Sequence, residues 1–226
     1  QLKYGMGLGW AQFNQKEVNY ATLGNKQVFL RTENVIREGY RGNANLTYRP
    51  NLFERHALQV GFGKESISDT AFAIAPNFLP NHKKSFSYID LNWSYSKVRF
   101  DYNAYPTKGA STEIALSQRF SKESNLSAIQ FRQVVAHPIT PNKFILAESL
   151  TIGRTMQQSN YSDRKLMGYG LMQMNGLDYY VVDGNAATLF KAAIHQRIGS
   201  YTVENPLTKK FLPSVKYTFW IKAFTQ

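Results

Sequence analysis

Four histidines, His56, His82, His137 and His195, are the side chains best suited to move a proton or bind a metal near neutral pH. No two of them stand at the His-x-x-x-His spacing that places both rings on one face of a helix. His137 precedes Pro138 in what reads as a turn, and His195 shares the polar side of an alternating segment with Lys191 and Arg197. The chain has no cysteine, which excludes thiol nucleophiles, zinc–thiolate centres and disulfides. It has no G-x-S-x-G elbow to present a serine. The stretch GYGLMQMNG at 168–176 lacks the preceding apolar strand and the following helix of a dinucleotide site. The 15 carboxylates are scattered, and no pair is marked for acid–base work. No catalytic residue, cofactor or metal is expected, and the chain reads as non-enzymatic.

The elements that would carry any site follow a period of two. Leu2, Tyr4, Met6, Leu8 and Trp10 share one parity, and Lys3, Gly5, Gly7, Gly9 and Ala11 the other. Leu58, Val60 and Phe62 oppose Gln59, Gly61 and Gly63. Ile89, Leu91, Trp93 and Tyr95 oppose Asp90, Asn92 and Ser94. Ile114 and Leu116 oppose Glu113, Ala115 and Ser117; Ile129 and Phe131 oppose Gln130 and Arg132. Phe190, Ala192, Ile194 and Ile198 oppose Lys191, His195 and Arg197. Such alternation predicts strands with one side in an apolar medium and the other in a polar one. Glu148 breaks the pattern by falling in phase with Phe144, Leu146, Leu150 and Ile152, so that strand either bulges or does not face lipid. Residues 28–37 and 215–225 give no clean facing. At roughly 9–11 residues per tilted crossing, the chain is expected to hold about 12 to 14 strands.

Composition supports a barrel wall. Tyr (14) and Phe (15) are abundant, as girdles of rings at a membrane interface require. The net charge of +12 is dispersed along alternating segments without an arginine-rich run. That pattern suits a polar lumen or anionic lipid headgroups, and no nucleic-acid partner is expected. No apolar run approaches the roughly 20 residues of a membrane helix. The run FAIA at 72–75 is short, and Pro76 closes it. The chain begins without a basic-plus-apolar leader, as expected after processing or in a fragment that starts past periplasmic domains.

Two landmarks are more specific. Residues 174–184 read Met174-Asn175-Gly176-Leu177-Asp178-Tyr179-Tyr180-Val181-Val182-Asp183-Gly184, at the end of a long polar, glycine-rich loop and just before an alternating strand. Residues 99–116 read RFDYNAYPTKGASTEIAL, in which Tyr105, Pro106 and Gly109 mark a tight reversal between strands. Together these stretches resemble the BamA/TamA superfamily of bacterial outer-membrane barrels, in its Bacteroidetes-type branch. Residues 45–67, NLTYRPNLFERHALQVGFGKESI, are similar to the same branch. In that family the loop usually carries Arg-Gly-Tyr, where this chain has Asn175-Gly176-Leu177. Asp101 remains from the acidic stretch before the turn, while the expected Arg is missing.

The resemblance implies an all-β fold: an antiparallel transmembrane β-barrel of the bacterial outer membrane. Residues 1–226 would form one barrel domain without periplasmic domains, incomplete at its C-terminus and part of a barrel of about sixteen strands. It implies that the loop motif Met174, Asn175, Gly176 and Leu177 folds inward against the lumen wall. The family's Arg meets an acidic and aromatic cluster there, and Asn175 is too short and uncharged to do so. It implies a role in insertion, assembly or translocation of outer-membrane proteins, with membrane lipids and client or subunit proteins as partners. Gly5, Gly7 and Gly9 would weaken a first-strand seam. The alternative is a degenerate relative, either an accessory or structural subunit of an outer-membrane complex or the barrel anchor of a patatin-like enzyme.

Overall fold

The alternating segments do form strands. The computed structural model describes residues 3–102, 106–140, 143–155 (145–155 by backbone), 161, 164–168, 172, 174, 176, 180–204 and 214–225. In chain order the strands are β1 (Tyr4–Gln15), β2 (Glu17–Leu23), β3 (Lys26–Arg31), β4 (Arg37–Tyr48) and β5 (Glu54–Ile67). A short helix α1 (Asp69–Ile74) follows, then β6 (Ser85–Phe100), β7 (Gly109–Ser121), β8 (Leu126–Thr140) and β9 (Lys143–Thr155). The loop pair β10 (Lys165–Met167) and β11 (Val182–Asp183) precedes β12 (Ala186–Glu204) and β13 (Ser214–Thr225). Among the described residues nine strands make one antiparallel sheet in the order β1-β4-β5-β6-β7-β8-β9-β12-β13. The pairs β2–β3 and β10–β11 lie in its connections.

Among the described residues the 13 strands fall within the expected 12 to 14, but nine of them, not all, share the large sheet. The reason is length: β6 has 16 residues and β12 has 19, well beyond the 9–11 of a minimal crossing. Sixteen strands of this size do not fit in 226 residues. Among the described residues the sheet does not close, and β1 and β13 are its edges. Among them, too, no helix is long and apolar enough to cross a membrane, which says nothing of crossing by strands.

The strand that broke the alternation contains a bulge. Phe131 and Gln133 of β8 face Ile152 and Ser149 of β9, while Leu189 and Phe190 of β12 face Thr151 and Ser149. Strand β9 thus carries one residue more than either neighbour, which resets the register between Glu148 and Ile152. Pro138 was expected in a turn with His137, but both lie inside β8. Its missing N–H is accommodated where the β8–β9 register slips between Pro138 and Thr140.

Connections differ at the two ends of the sheet. At one end β4 is linked to β5, β6 to β7, β8 to β9 and β12 to β13. The other carries the β2–β3 hairpin, the α1 segment and the 156–185 loop. The FAIA run belongs to α1, capped by Ser68, whose Oγ accepts from the Ala71 amide at 3.3 Å. The apolar core sits at this end. Val18, Ile36, Ile67, Phe78, Leu79 and Phe86 are buried together under the hairpin and α1. Among the described residues no second sheet packs on the first, so this core is not that of a sandwich.

Candidate functional site

One face of the sheet, taken as outer, is continuous and apolar. Met6, Leu46, Leu58, Trp93, Leu116 and Ile129 are consecutive register partners across six strands, so they form one row. Leu8, Val60 and Leu91 lie in the next row. Phe190, Ile194, Phe219 and Ile221 continue the exposed apolar surface on β12 and β13. None of this is covered: Met6 is 87% exposed and Leu8 90%. Rings stand in rows at both margins. Toward the short turns, Tyr4 stacks on Tyr48 at 5.0 Å, Tyr48 on His56 at 6.1 Å, and His56 lies 5.0 Å from Tyr95. Toward the long connections, Trp10 lies 5.4 Å from Tyr40 and 5.9 Å from Phe62. Tyr4 and Trp10 are separated by about 20 Å of extended strand. Across six strands, this band has a footprint of about 500 Å².

The inner face is polar and paired. Gly7, Asn45, Gln59, Asn92 and Ser117 form a register row directly behind the apolar ones. Nearer the long connections, charged side chains converge. Arg37 of β4 donates to Glu65 of β5 through Nη2 at 2.5 Å and Nε at 3.1 Å, and to Gln15 Oε1 at 3.2 Å. The Tyr88 hydroxyl donates to Glu65 Oε1 at 3.3 Å. The Arg119 guanidinium lies 4.2 Å over the Tyr88 ring and holds both oxygens of Asp90, at 2.8 and 3.1 Å. Each carboxylate is thus met by a guanidinium from a neighbouring strand, the geometry in which a partly buried charge is tolerated. The tyrosine ring lies over Gly63, where a Cβ would come within 2.5 Å of Tyr88 Cζ.

The 161–185 loop is held by the flank of its motif. Tyr180 bridges Lys26, and the Val181 amide donates to Asn25 O at 2.8 Å, so the segment adds to the tip of the β2–β3 hairpin. Val181 is fully buried and Met172 nearly so. Tyr161 donates from its hydroxyl to Asn19 Oδ1 at 2.5 Å and lies 3.0 Å from Thr22 Oγ1. Lys165 Nζ donates to Asn19 O at 3.2 Å. Burial, then the nearby Arg37 charge, push the Lys165 ammonium down to about 8, against the opposing pull of Asp183. The motif core behaves differently. Gly176, at φ +73°, is exposed, and a Cβ there would meet nothing within 4 Å among the described residues. Met174 is half-buried, and Asn175 and Leu177 lie outside the described residues.

The 101–109 turn is organised by its acid. Asp101 Oδ1 accepts from the amides of Tyr102, Thr107 and Lys108 at 2.9–3.1 Å, and Oδ2 accepts from the Thr107 hydroxyl. Burial, the largest single influence, pushes the Asp101 pKa up, but the four donors together hold it below the usual carboxylate value. Gly109 has φ +120°, and a Cβ would stand 1.9 Å from Arg99 O, so no other residue fits. Pro106 is half-buried beside it, and Tyr105 lies outside the described residues. Gly5, Gly7 and Gly9 lie on the edge strand β1. A Cβ at Gly7 or Gly9 would press on Asn45 or Asn43 at 2.8–2.9 Å, so these glycines make room for the inner-face amides.

The histidines do not converge. His56 belongs to the tyrosine row, His137 is exposed in β8, and His82 lies in the α1–β6 connection. His195 is buried on the inner side, stacked on Phe144 at 4.7 Å, and Trp220 meets Phe144 edge-on. The Arg37–Glu65–Tyr88–Arg119–Asp90 cluster was not anticipated. Asp90 was placed on the polar parity, but only strand register brings Glu65 and Arg119 to it. No protein-family model matches the chain, and no curated protein matches it.

Proposed function

We propose that this sheet is the wall of a bacterial outer-membrane β-barrel of the BamA/TamA type, serving insertion or assembly of outer-membrane proteins. The observation that carries the membrane reading is the uncovered apolar face with rings at both margins. Monomeric soluble proteins rarely expose more than a few hundred Å² of contiguous apolar surface. Moving about 500 Å² from water into hydrocarbon is worth on the order of 10 kcal/mol. The opposite face, polar and charge-paired, suits a wet lumen. Closure then needs strands against β1 and β13, supplied by a longer polypeptide or another chain. On the glycine-rich β1, a client strand adds by main-chain pairing.

One observation favours the second reading, an accessory or structural subunit without insertase activity. The inner wall offers an acidic and aromatic cluster of the kind the family's loop Arg would meet. Here its carboxylates are engaged by Arg37 and Arg119 from the wall itself. The loop has neither the Arg nor a described contact with that cluster through its motif core. Depletion of the protein in its own cell separates the readings. Broad loss of folded outer-membrane proteins is the result expected of an insertase. Loss of a single complex, with other barrels intact, overturns it in favour of the subunit.

A further inference from the structure

We propose that a cleft of about 660 Å³ at the long-connection end of the sheet binds a saccharide unit. The inference rests on the geometry of this end alone and stands whether or not the sheet spans a membrane. Three separate parts of the chain wall the cleft: β2 at Tyr20–Thr22, the end of α1 and its connection to β6, and Tyr161, Arg164 and Asp183. Its volume falls within the roughly 300–1,000 Å³ of small-molecule sites.

The lining decides the ligand class. Tyr20, Phe78 and Tyr161 supply rings, and Asn77, His82 and Asp183 supply planar polar groups. A sugar presents just this pair of surfaces: a patch of polarised C–H bonds for the negative face of a ring, and a rim of hydroxyls that both donate and accept. Among the described residues Tyr20 stacks on no other ring and His82 makes no hydrogen bond, so both are free to serve a ligand. One oxygen of Asp183, Oδ1, is shut off from water and has no donor, a cost that a hydroxyl can relieve after a small rotation of the carboxylate. An acyl chain is disfavoured by this density of polar groups. Arg164 and Asp183 bring one charge of each sign to the lining, so net charge selects neither an anion nor a cation.

The site is built before any ligand arrives. Tyr161 is fixed to Asn19 and Thr22, and Phe78 is buried against Tyr161 at 6.5 Å. Asn81 and His82 both adopt the left-handed backbone, at φ +51° and +53°. Asn81 is held there by its Nδ2, which donates to Glu123 O at 2.6 Å. Such preorganisation lowers the entropy cost of binding.

The test uses the purified protein in a detergent without a sugar headgroup. Saturation-transfer NMR is recorded with glucose, galactose, mannose and N-acetylglucosamine, with inorganic phosphate and tetramethylammonium as competitors. At least one sugar is expected to receive saturation with a Kd of about 1 mM. Tyr20→Ala and Asp183→Asn are each expected to weaken it by about ten-fold or more. Asp183→Asn keeps the shape of the side chain, so it decides the matter if Tyr20→Ala fails to fold. The proposal is overturned if no sugar gives a signal up to about 50 mM. It is equally overturned if the folded Asp183→Asn protein binds as well as the parent, or if phosphate or tetramethylammonium displaces the sugar.

Discussion

Removing the Arg37 side chain tests whether the inner wall is held by paired charge. Arg37 and Glu65 side chains are 24% and 10% exposed, and their two hydrogen bonds leave Glu65 with Tyr88 as its other described partner. In Arg37→Ala, Glu65 becomes a nearly buried carboxylate with one neutral donor. Breaking a buried pair costs about 3–5 kcal/mol, and the residual exposure of Arg37 brings the expectation to about 2–4 kcal/mol. Arg31 and Glu17 form a similar ion pair on the β2–β3 hairpin, but at 78% and 38% exposure. Arg31→Ala is expected to cost less than about 1 kcal/mol. Urea unfolding in micelles, followed by tryptophan fluorescence, gives both shifts from the midpoint at constant slope. The added substitution Glu65→Gln in Arg37→Ala should recover part of the loss, because it removes the stranded charge. Equal shifts for Arg37→Ala and Arg31→Ala would refute the reasoning. So would a double variant no more stable than the single one, since the loss would then come from Arg37 packing on Phe13 and Phe78.

The remaining expectations concern other parts of the chain. Single cysteines at Leu91, Leu116 and Ile194 should react with a lipid-soluble probe, and those at Asn92, Arg132 and Arg197 with an impermeant one; a reversed split removes the membrane reading. Lys165 titrates near 8 when folded and 10.5 when free, so the unfolded chain binds more protons between those values. Loop docking should therefore strengthen as pH rises from about 8 to 10.5, measured by protease resistance of the 156–185 loop, and Lys165→Met should flatten that rise. Gly109→Ala combines a left-handed φ with a backbone clash and should cost about 3 kcal/mol or more. Gly176→Ala shares the sign of φ but meets open space and should cost about 1 kcal/mol, both read from thermal unfolding.

Which parts were legible in the sequence depends on how far apart the deciding residues lie. Alternation is local, so the outward Leu91, Trp93, Leu116 and Phe131 and the inward Asn92 and Arg132 were read from runs of a few residues. The break at Glu148 was legible as an alternative, and the register around Ser149 resolves it as a bulge. The Pro106–Gly109 turn was also legible, because φ constraints act within the turn itself. The number of strands in the main sheet was not legible, because strand lengths are set by how far a partner strand runs, as the 19 residues of β12 show. The unclear facing of 28–37 has a related cause: β3 belongs to a hairpin over the sheet's end, so its side chains answer to a core and not to lipid. Glu65, Asp90 and Arg119 lie 25 and 29 residues apart in sequence, and nothing local announces that strand register joins them.

The 174–184 stretch divides into an anchored flank and an exposed glycine. Its preserved flank, Tyr180 to Asp183, makes the backbone bridge to Lys26, buries Val181 and pairs with Lys165–Met167. Its altered core does none of this at Gly176. If the chain is of the proposed family, a loop anchored by its flank does not need a guanidinium thrust into the wall, and a wall that supplies its own guanidinium offers no vacancy for one. Either change alone would be costly: a loop Arg beside Arg37 and Arg119 meets like charge, and Glu65 or Asp90 without any Arg is a stranded carboxylate. The two departures are therefore mutually consistent. On the proposed family reading, the loop closes the hairpin end of the sheet, where Tyr161 and Asp183 line a cleft, in place of bracing a lumen.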